Sequence, residues 1–431
     1  MLFNKEKYKK RLIDKTIEKY FSVFKCLLIE GPKWCGKTWT SKNITNKTLL
    51  LTNNDDYELI KINPKQIFQY NPNQYPLLID EWQEIPELWN MIRNKIDESI
   101  DNQKFILTGS TSINNVSKNY HGPKLHSGTG RIARIKMHPM SLYESNDSEG
   151  LISIEDMKNK KEIFSKLKNK PTLEKLANLI IRGGWPETLN YDSVEKFMLL
   201  SSSYLDTLVN QDIKQFGKRN SKTLMMIIRS LARNESTVVS NNTIINDCFE
   251  NEEFDNNLSR ITLNSYLDIL KNLHILIEDN AFEINIRSSQ KVGKSPKRHL
   301  VDPSLSCAAL KITPKKLITD MKTLGFMFEA LVERDLRIYA QSLEGNLMHF
   351  RDNASGLEID AVIEFSDGEY AIFEIKLGFN IIEEAKKNIL KFRKNVSKKP
   401  IFSCIIVGLL DYTTYDVEND IYIIPITALK A

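Results

Sequence analysis

One run of residues, Gly31-Pro32-Lys33-Trp34-Cys35-Gly36-Lys37-Thr38, constrains this chain more than any other. It follows the apolar segment Cys26–Glu30 and opens a helical stretch, giving the strand, G-x-x-x-x-G-K-[ST], helix order of a phosphate-binding loop. The glycines let the loop curl so that backbone N–H groups and the helix N-terminus face an anion. Lys37 is then placed to neutralise the β and γ phosphates of a nucleoside triphosphate, with the Thr38 hydroxyl on Mg²⁺. Pro32, Lys33, Trp34 and Cys35 complete the loop. Cys35 is read as filler, since its position asks mainly for a backbone amide. ATP with Mg²⁺ is the expected ligand.

Downstream segments give that loop its context. The apolar strand Pro76-Leu77-Leu78-Ile79 ends in Asp80-Glu81, the pattern of a Walker B element. Asp80 is expected to hold Mg²⁺ through water, and Glu81 to orient or deprotonate the attacking water. A further strand, Lys104 to Thr111, ends in hydroxyl residues, so Ser110 or Thr108 is the candidate sensor of the γ-phosphate. Hydrolysis also develops charge that a cation should stabilise. Arg131 and Arg134 are the candidates, in cis or across the interface of a homo-oligomer; a pair of surface arginines is the plain alternative.

These motifs, with Leu107-Thr108-Gly109-Ser110 and Ser127-Gly128-Thr129-Gly130-Arg131, resemble a large group of uncharacterised prokaryotic AAA-type ATPases. In that group an N-terminal ATPase domain is joined to a C-terminal domain of unknown function. Gly183-Gly184-Trp185-Pro186-Glu187, Ser295-Pro296-Lys297 and Asp302 extend the resemblance over nearly the whole chain. It implies an additional-strand, catalytic-glutamate ATPase.

The fold class expected is α/β, in four parts. Residues 1–145 alternate short apolar strands with helices, the pattern of a parallel sheet covered on both faces, and form the ATPase core. Residues 146–220 are a connection and helical lid region, and the polar run 145–170 reads as a connection or a loose insertion. Residues 221–310 give three helices and a hairpin, His274–Ile277 and Phe282–Ile286 around Asp279-Asn280, the order of a winged helix-turn-helix. Residues 311–431 return to α/β.

In that last part Asp360 lies within the strand pattern Leu357–Phe365, and Glu374 and Lys376 share a face of the next, Glu369–Lys376, because strand side chains alternate; if Asp360 points to the same face, the three converge. Glu329 lies on the preceding helix. The layout resembles the PD-(D/E)xK, restriction-endonuclease-like fold. The resemblance implies divalent metal on Glu329, Asp360 and Glu374, and a water positioned or activated by Lys376. The bland reading is a half-exposed, charged sheet edge.

Charge limits the partners. The 431 residues carry a net +5, but residues 321–431 hold 13 Lys and Arg against 17 Asp and Glu, so that domain grips DNA poorly alone. Arg287, Lys291, Lys294, Lys297 and Arg298, with no acid between them, are the stretch expected to meet DNA phosphates; a solvated loop is the alternative. No apolar run is long enough to span a bilayer. Five scattered cysteines form no short Cys-x-x-Cys pair, which fits a reducing, cytoplasmic setting without membrane contact.

Overall fold

The computed structural model of the protein describes residues 5–98, 103–249, 258–283, 295–352 and 356–431. The chain divides into two compact units, Met1–Pro139 with Leu270–Ile275, and Met140–Ile269 with Leu276–Ala431.

In the first unit helices and strands alternate: α1 (Ile13–Phe21), β1 (Cys26–Glu30), α2 (Lys37–Ile44), β2 (Lys47–Leu50), α3 (Asn54–Ile62), β3 (Leu77–Asp80), α4 (Glu87–Glu98), β4 (Phe105–Gly109), α5 (Ile113–Asn119) and β5 (Ile132–Lys136). The five strands pair in parallel, in the order β2-β3-β4-β1-β5. Alternate side chains of β1 enter opposite layers. Cys26 and Leu28 pack with Trp82, Trp89 and Ile92 on one face. On the other, Leu27 and Ile29 pack with Ile13, Ile17 and Phe21 of α1. A strand covered on both faces must be apolar throughout, which is why Cys26-Leu27-Leu28-Ile29 is an unbroken run. The expected parallel α/β sheet is therefore present, and the phosphate loop leaves the C-terminal end of a central strand.

The second unit contains β6 (Ile152–Ser153), α6 (Ile154–Lys158), β7 (Ser165–Lys166), α7 (Leu173–Arg182), α8 (Val194–Asn210), α9 (Ser221–Arg233), α10 (Asn241–Phe249), α11 (Arg260–Asn272), β8 (Leu276–Asp279), β9 (Lys297–Leu300), α12 (Pro303–Ala309), α13 (Pro314–Thr319), α14 (Met321–Ser342), β10 (Asn346–Asp352), β11 (Leu357–Glu364), β12 (Tyr370–Lys376), α15 (Ile382–Asn395), β13 (Ser403–Val407), β14 (Tyr412–Asp416), β15 (Ile421–Pro425) and β16 (Leu429–Lys430). The end of α11 belongs to the first unit. A mixed sheet runs β10-β11-β12-β13-β15-β14-β7, with α15 packed on it through Ala385, Ile389 and Phe392.

Two expectations are corrected here. The polar segment 145–170 is no loose insertion, because β7 pairs antiparallel with β14 and β6 pairs parallel with β16. Polar composition hid it, since the backbone supplies those bonds. The partner of β8 is β9, with Leu276 opposite Leu300. Of the strand expected at Phe282–Ile286, Phe282 is not in a strand and residues 284–286 lie outside the described residues.

The Gly183-Gly184 break has a steric cause. A Cβ on Gly184 would stand 2.2 Å from the Met140 carbonyl oxygen. The Gly184 N–H donates to Asp302 Oδ2 at 2.9 Å, and Arg334 Nη1 donates to that same oxygen at 3.0 Å. Arg334 also pairs with Asp335, whose Oδ2 accepts from the Leu142 N–H at 2.8 Å. All three charged residues are buried, so each depends on the others. Gly184→Ala is expected to destabilise the second unit by about 2 kcal/mol or more, since a backbone oxygen cannot step aside as a flexible side chain can. Urea denaturation checks it.

Candidate functional site

The phosphate loop is shaped by close approach. A Cβ on Gly31 would lie 2.3 Å from the Met137 carbonyl oxygen, and Gly36 has φ +103, so both positions require glycine. Lys37 is buried, and its Nζ donates to the carbonyl oxygens of Gly31 and Pro32 at 2.9 Å each. Lys33 and Trp34 lie on the exposed rim of the loop, whereas the Cys35 side chain is buried. The Cys35 carbonyl accepts a 2.9 Å bond from Arg11 Nη1. Arg11 Nη2 reaches the carbonyls of His138 and Pro139 at 2.9 and 3.2 Å, tying the loop to the exit from β5. Sequence reasoning missed Arg11, because nothing in a Lys-rich N-terminus marks one buried arginine.

Asp80 ends β3 beside this loop. Its Oδ1 accepts from Thr38 Oγ1 at 2.9 Å and Thr108 Oγ1 at 2.5 Å, joining α2, β3 and β4 at one carboxylate. Burial raises the Asp80 pKa, an effect opposed by the bonds from Thr108 and Thr38 and by the charge of Lys37. Thr38 and Asp80 are thus adjacent oxygen donors of the kind that suits Mg²⁺, and they fit that ion. Glu81 has φ +55, and this left-handed backbone turns its carboxylate away from the strand line. Its Oε2 accepts from Gln83 Nε2 at 2.5 Å and lies 3.5 Å from Ser110 Oγ. The two hydroxyl candidates therefore separate, Thr108 facing Asp80 and Ser110 facing Glu81.

Arg131 and Arg134 are not brought to this cluster. In the parallel pair β1–β5, Cys26 is opposite Ile132, so Arg131 lies at the N-terminal edge of the sheet while the loop begins beyond Glu30. At about 3.3 Å per residue, that separation is roughly 15 Å along the strands. Arg131 pairs with Asp97, and Arg134 Nη2 donates to the Ser127 carbonyl at 3.0 Å. As placed, Arg131 is too far from the loop to reach a nucleotide in cis, and Arg134 is turned to Ser127.

The C-terminal candidates do converge. Lys376 Nζ lies 3.0 Å from Asp360 Oδ2 and 2.8 Å from Glu374 Oε2. The Ile375 N–H donates to the same Asp360 oxygen at 2.7 Å, and Asn388 Nδ2 donates to Glu374 Oε1 at 2.7 Å. Glu329 faces a different lysine, Lys297, whose Nζ is 2.5 Å from Glu329 Oε1 and 2.6 Å from Glu333 Oε1 and bonds the Asp360 carbonyl at 3.3 Å. Two ammonium groups stand where a cation would be needed. Among the described residues no three His, Cys, Asp or Glu side chains are grouped to hold a metal ion. The side chains as placed do not fit one.

This corrects the basic stretch. Lys297 and Arg298 are buried, Arg298 pairing with Glu278 at 3.0 Å, so neither is exposed to DNA phosphates. Arg287, Lys291 and Lys294 lie outside the described residues. The network continues inward: His299 Nδ1 is 3.1 Å from Glu235 and its Nε2 3.3 Å from Asp279, which also pairs with Arg337 at 2.6 Å. Burial pushes the Glu329 and Glu374 carboxyls up to about 8, aided by crowding from Asp360. Burial alone would lower the His299 pKa, but Glu333 and Asp279 outweigh it and raise it to about 9.

Three families match successive parts of the chain: "AAA domain" over residues 23–146, "Domain of unknown function (DUF8612)" over 173–316 and "Domain of unknown function (DUF4143)" over 324–429. With the loop geometry above, residues 23–146 are an AAA-type P-loop ATPase domain. An uncharacterised protein of Mycobacterium tuberculosis is 23% identical over 70% of this chain, and the match spans 58% of that protein's length. An uncharacterised protein of Haemophilus influenzae is 23% identical over 83% of this chain and 81% of its own. Among solved structures, the Walker-type ATPase paby2304 of Pyrococcus abyssi shares 16% identity over 72% of this chain and 96% of its own, with a TM-score of 0.43. The RuvB Holliday junction branch migration motor of Thermotoga maritima shares 15% over 69% and 94%, with a TM-score of 0.25. No helix among the described residues is long and apolar enough to cross a membrane.

The buried histidine makes stability depend on pH. A folded pKa of about 9 against an ordinary 6.5 contributes stability that is complete below pH 6.5 and lost as pH rises through 9. The raised Glu329 and Glu374 act in the same direction. The melting temperature of the second unit is expected to fall between pH 6.5 and 9, His299 accounting for up to about 3 kcal/mol. Calorimetry across that range checks it, and a flat profile contradicts it.

Proposed function

We propose that this protein is a Mg²⁺-dependent ATPase whose turnover acts as a switch for its second unit. The observation that carries the reading is the bond from Thr38 to Asp80 at the mouth of the loop, with Glu81 next in sequence. A phosphate entering the loop competes with the Gly31 and Pro32 carbonyls for the Lys37 ammonium. Thr38 and Asp80 would hold Mg²⁺, which supplies charge neutralisation at the outer phosphates. Glu81 accepts the proton of the attacking water, and the Ser110 hydroxyl orients its carboxylate. Arg131 enters only from a second copy of the chain.

A second reading, cleavage of DNA or RNA by a PD-(D/E)xK-like site in the second unit, is supported by the meeting of Asp360, Glu374 and Lys376. The lysines that occupy the acid cluster favour the switch.

Lys37→Ala is expected to abolish nucleotide binding. Glu81→Gln should keep binding and lower turnover by about 100-fold or more, the usual scale of a lost general base. Phosphate release and calorimetric titration with ATP measure both; ATP turnover surviving Lys37→Ala sinks the nucleotide site. Arg131→Ala should leave turnover unchanged in the monomer and lower it only in an oligomer. Incubation with Mg²⁺ or Mn²⁺, ATP and DNA or RNA substrates, wild type against Asp360→Ala and Glu374→Ala, is expected to show no cleavage. Cleavage lost in both variants would establish the second reading instead.

A further inference from the structure

The nucleotide-binding unit includes one short segment from far along the chain, Leu270–Ile275. Its place in that unit is fixed by contacts. Leu270, Leu273 and Ile275 are buried, and Asn272 Oδ1 accepts a 2.7 Å bond from Ser112 Oγ. Ser112 follows β4 by three residues, so the segment is pinned beside the strand that carries Thr108 and is followed by Ser110.

His274 stands at the turn. Its N–H donates to the Lys271 carbonyl at 3.0 Å, and the Ile275 N–H reaches back to the Leu270 carbonyl at 2.8 Å, the bond pattern that closes a helix. The backbone there has φ +57, where glycine or asparagine is the low-cost residue and a histidine costs about 1 kcal/mol or more. Strain of this kind persists where the surrounding structure holds the backbone in place. The ring is largely buried, and its Nε2 has no hydrogen-bond partner among the described residues. A buried imidazole nitrogen left unpaired costs about 1–3 kcal/mol.

The charges around the ring identify what is missing. Burial first, then the ammonium groups of Lys37 and Lys136, lower the His274 pKa to about 4, so the ring is neutral at pH 7. Lys37 is the phosphate-loop lysine, and Lys136 ends β5 beside β1. A neutral imidazole near two cations, one of them the phosphate-loop lysine, is a setting that suits an anion with several oxygens.

We propose that His274 Nε2 donates a hydrogen bond to the outer phosphates of the bound nucleotide, beside Lys37. This rests on the nucleotide site proposed above and adds to it a contact that distinguishes di- and triphosphates from a monophosphate. The ligand class is a nucleoside polyphosphate, and the ring adds a donor without adding a charge.

The test uses the full chain with Mg²⁺ and three probes, ATPγS, ADP and AMP. His274→Phe fills the same space without a donor and is expected to weaken ADP and ATPγS binding by about tenfold or more while leaving AMP binding unchanged. His274→Gln, whose amide nitrogen can stand near Nε2, is expected to recover most of the loss. In wild type, the His274 imidazole ¹⁵N resonance, assigned by its loss in His274→Gln, should shift on addition of ADP. The shift itself is read on wild type alone. An unmoved resonance, or equal ADP affinity in His274→Phe, overturns the proposal while wild type still binds nucleotide. Failure of wild type to bind any nucleotide overturns the underlying site instead.

Discussion

A charge taken out of water must be met by another charge or by hydrogen bonds, at a cost of several kcal/mol if it is not, and this requirement organises both units. In the first, the Asp80 carboxylate is buried at a strand end and accepts from Thr38 and Thr108. Those two bonds hold the start of α2 and the end of β4 against β3, so the groups that would hold Mg²⁺ also fix the loop. In the second, Lys297 closes between Glu329 and Glu333, and His299, Asp279 and Arg337 continue the line. Removing one member leaves its partner charged and buried, which is worse than never burying the pair.

Much of the first unit was legible because its rules are local. An apolar run buried on both faces, a glycine at each end of a loop and an acidic pair after a strand are properties of neighbouring residues. The parallel sheet, Lys37, Thr38 and Asp80 stand where those rules put them. Arg131 shows the limit. Its position next to a glycine-rich turn was readable, but the parallel register of β5 on β1 puts it at the opposite edge of the sheet from the loop. Strand direction cannot be read from a residue's own neighbours.

The second unit was less legible for a related reason. Lys297 and Arg298 look like part of a solvated basic run until β9 pairs with β8 and carries them inward against acids from α14 and β8. Linear charge says nothing about burial when the compensating carboxyls lie 20 to 36 residues away. Strands of two residues, such as β6 and β7, carry no periodicity to detect. Glu374 and Lys376 were readable as one face of a strand, and the alternation that predicted it is present in β12. What alternation could not supply is Asn388, which reaches Glu374 from α15.

These ion pairs also bear on what the second unit can do. For Asp360 and Glu374 to turn toward any other cation, Lys376 must lose two carboxylates at once, and Glu374 must also give up Asn388. For Glu329 to join them, Lys297 must be released from a site where it is buried with two acids. Each release exposes a charge to a low-dielectric surrounding unless a replacement arrives with it. The acid cluster is thus closed by its own lysines, which join β9 to α14 and β11 to β12. No single pair of this cluster can be broken cheaply, because each partner left behind is a charge held away from water.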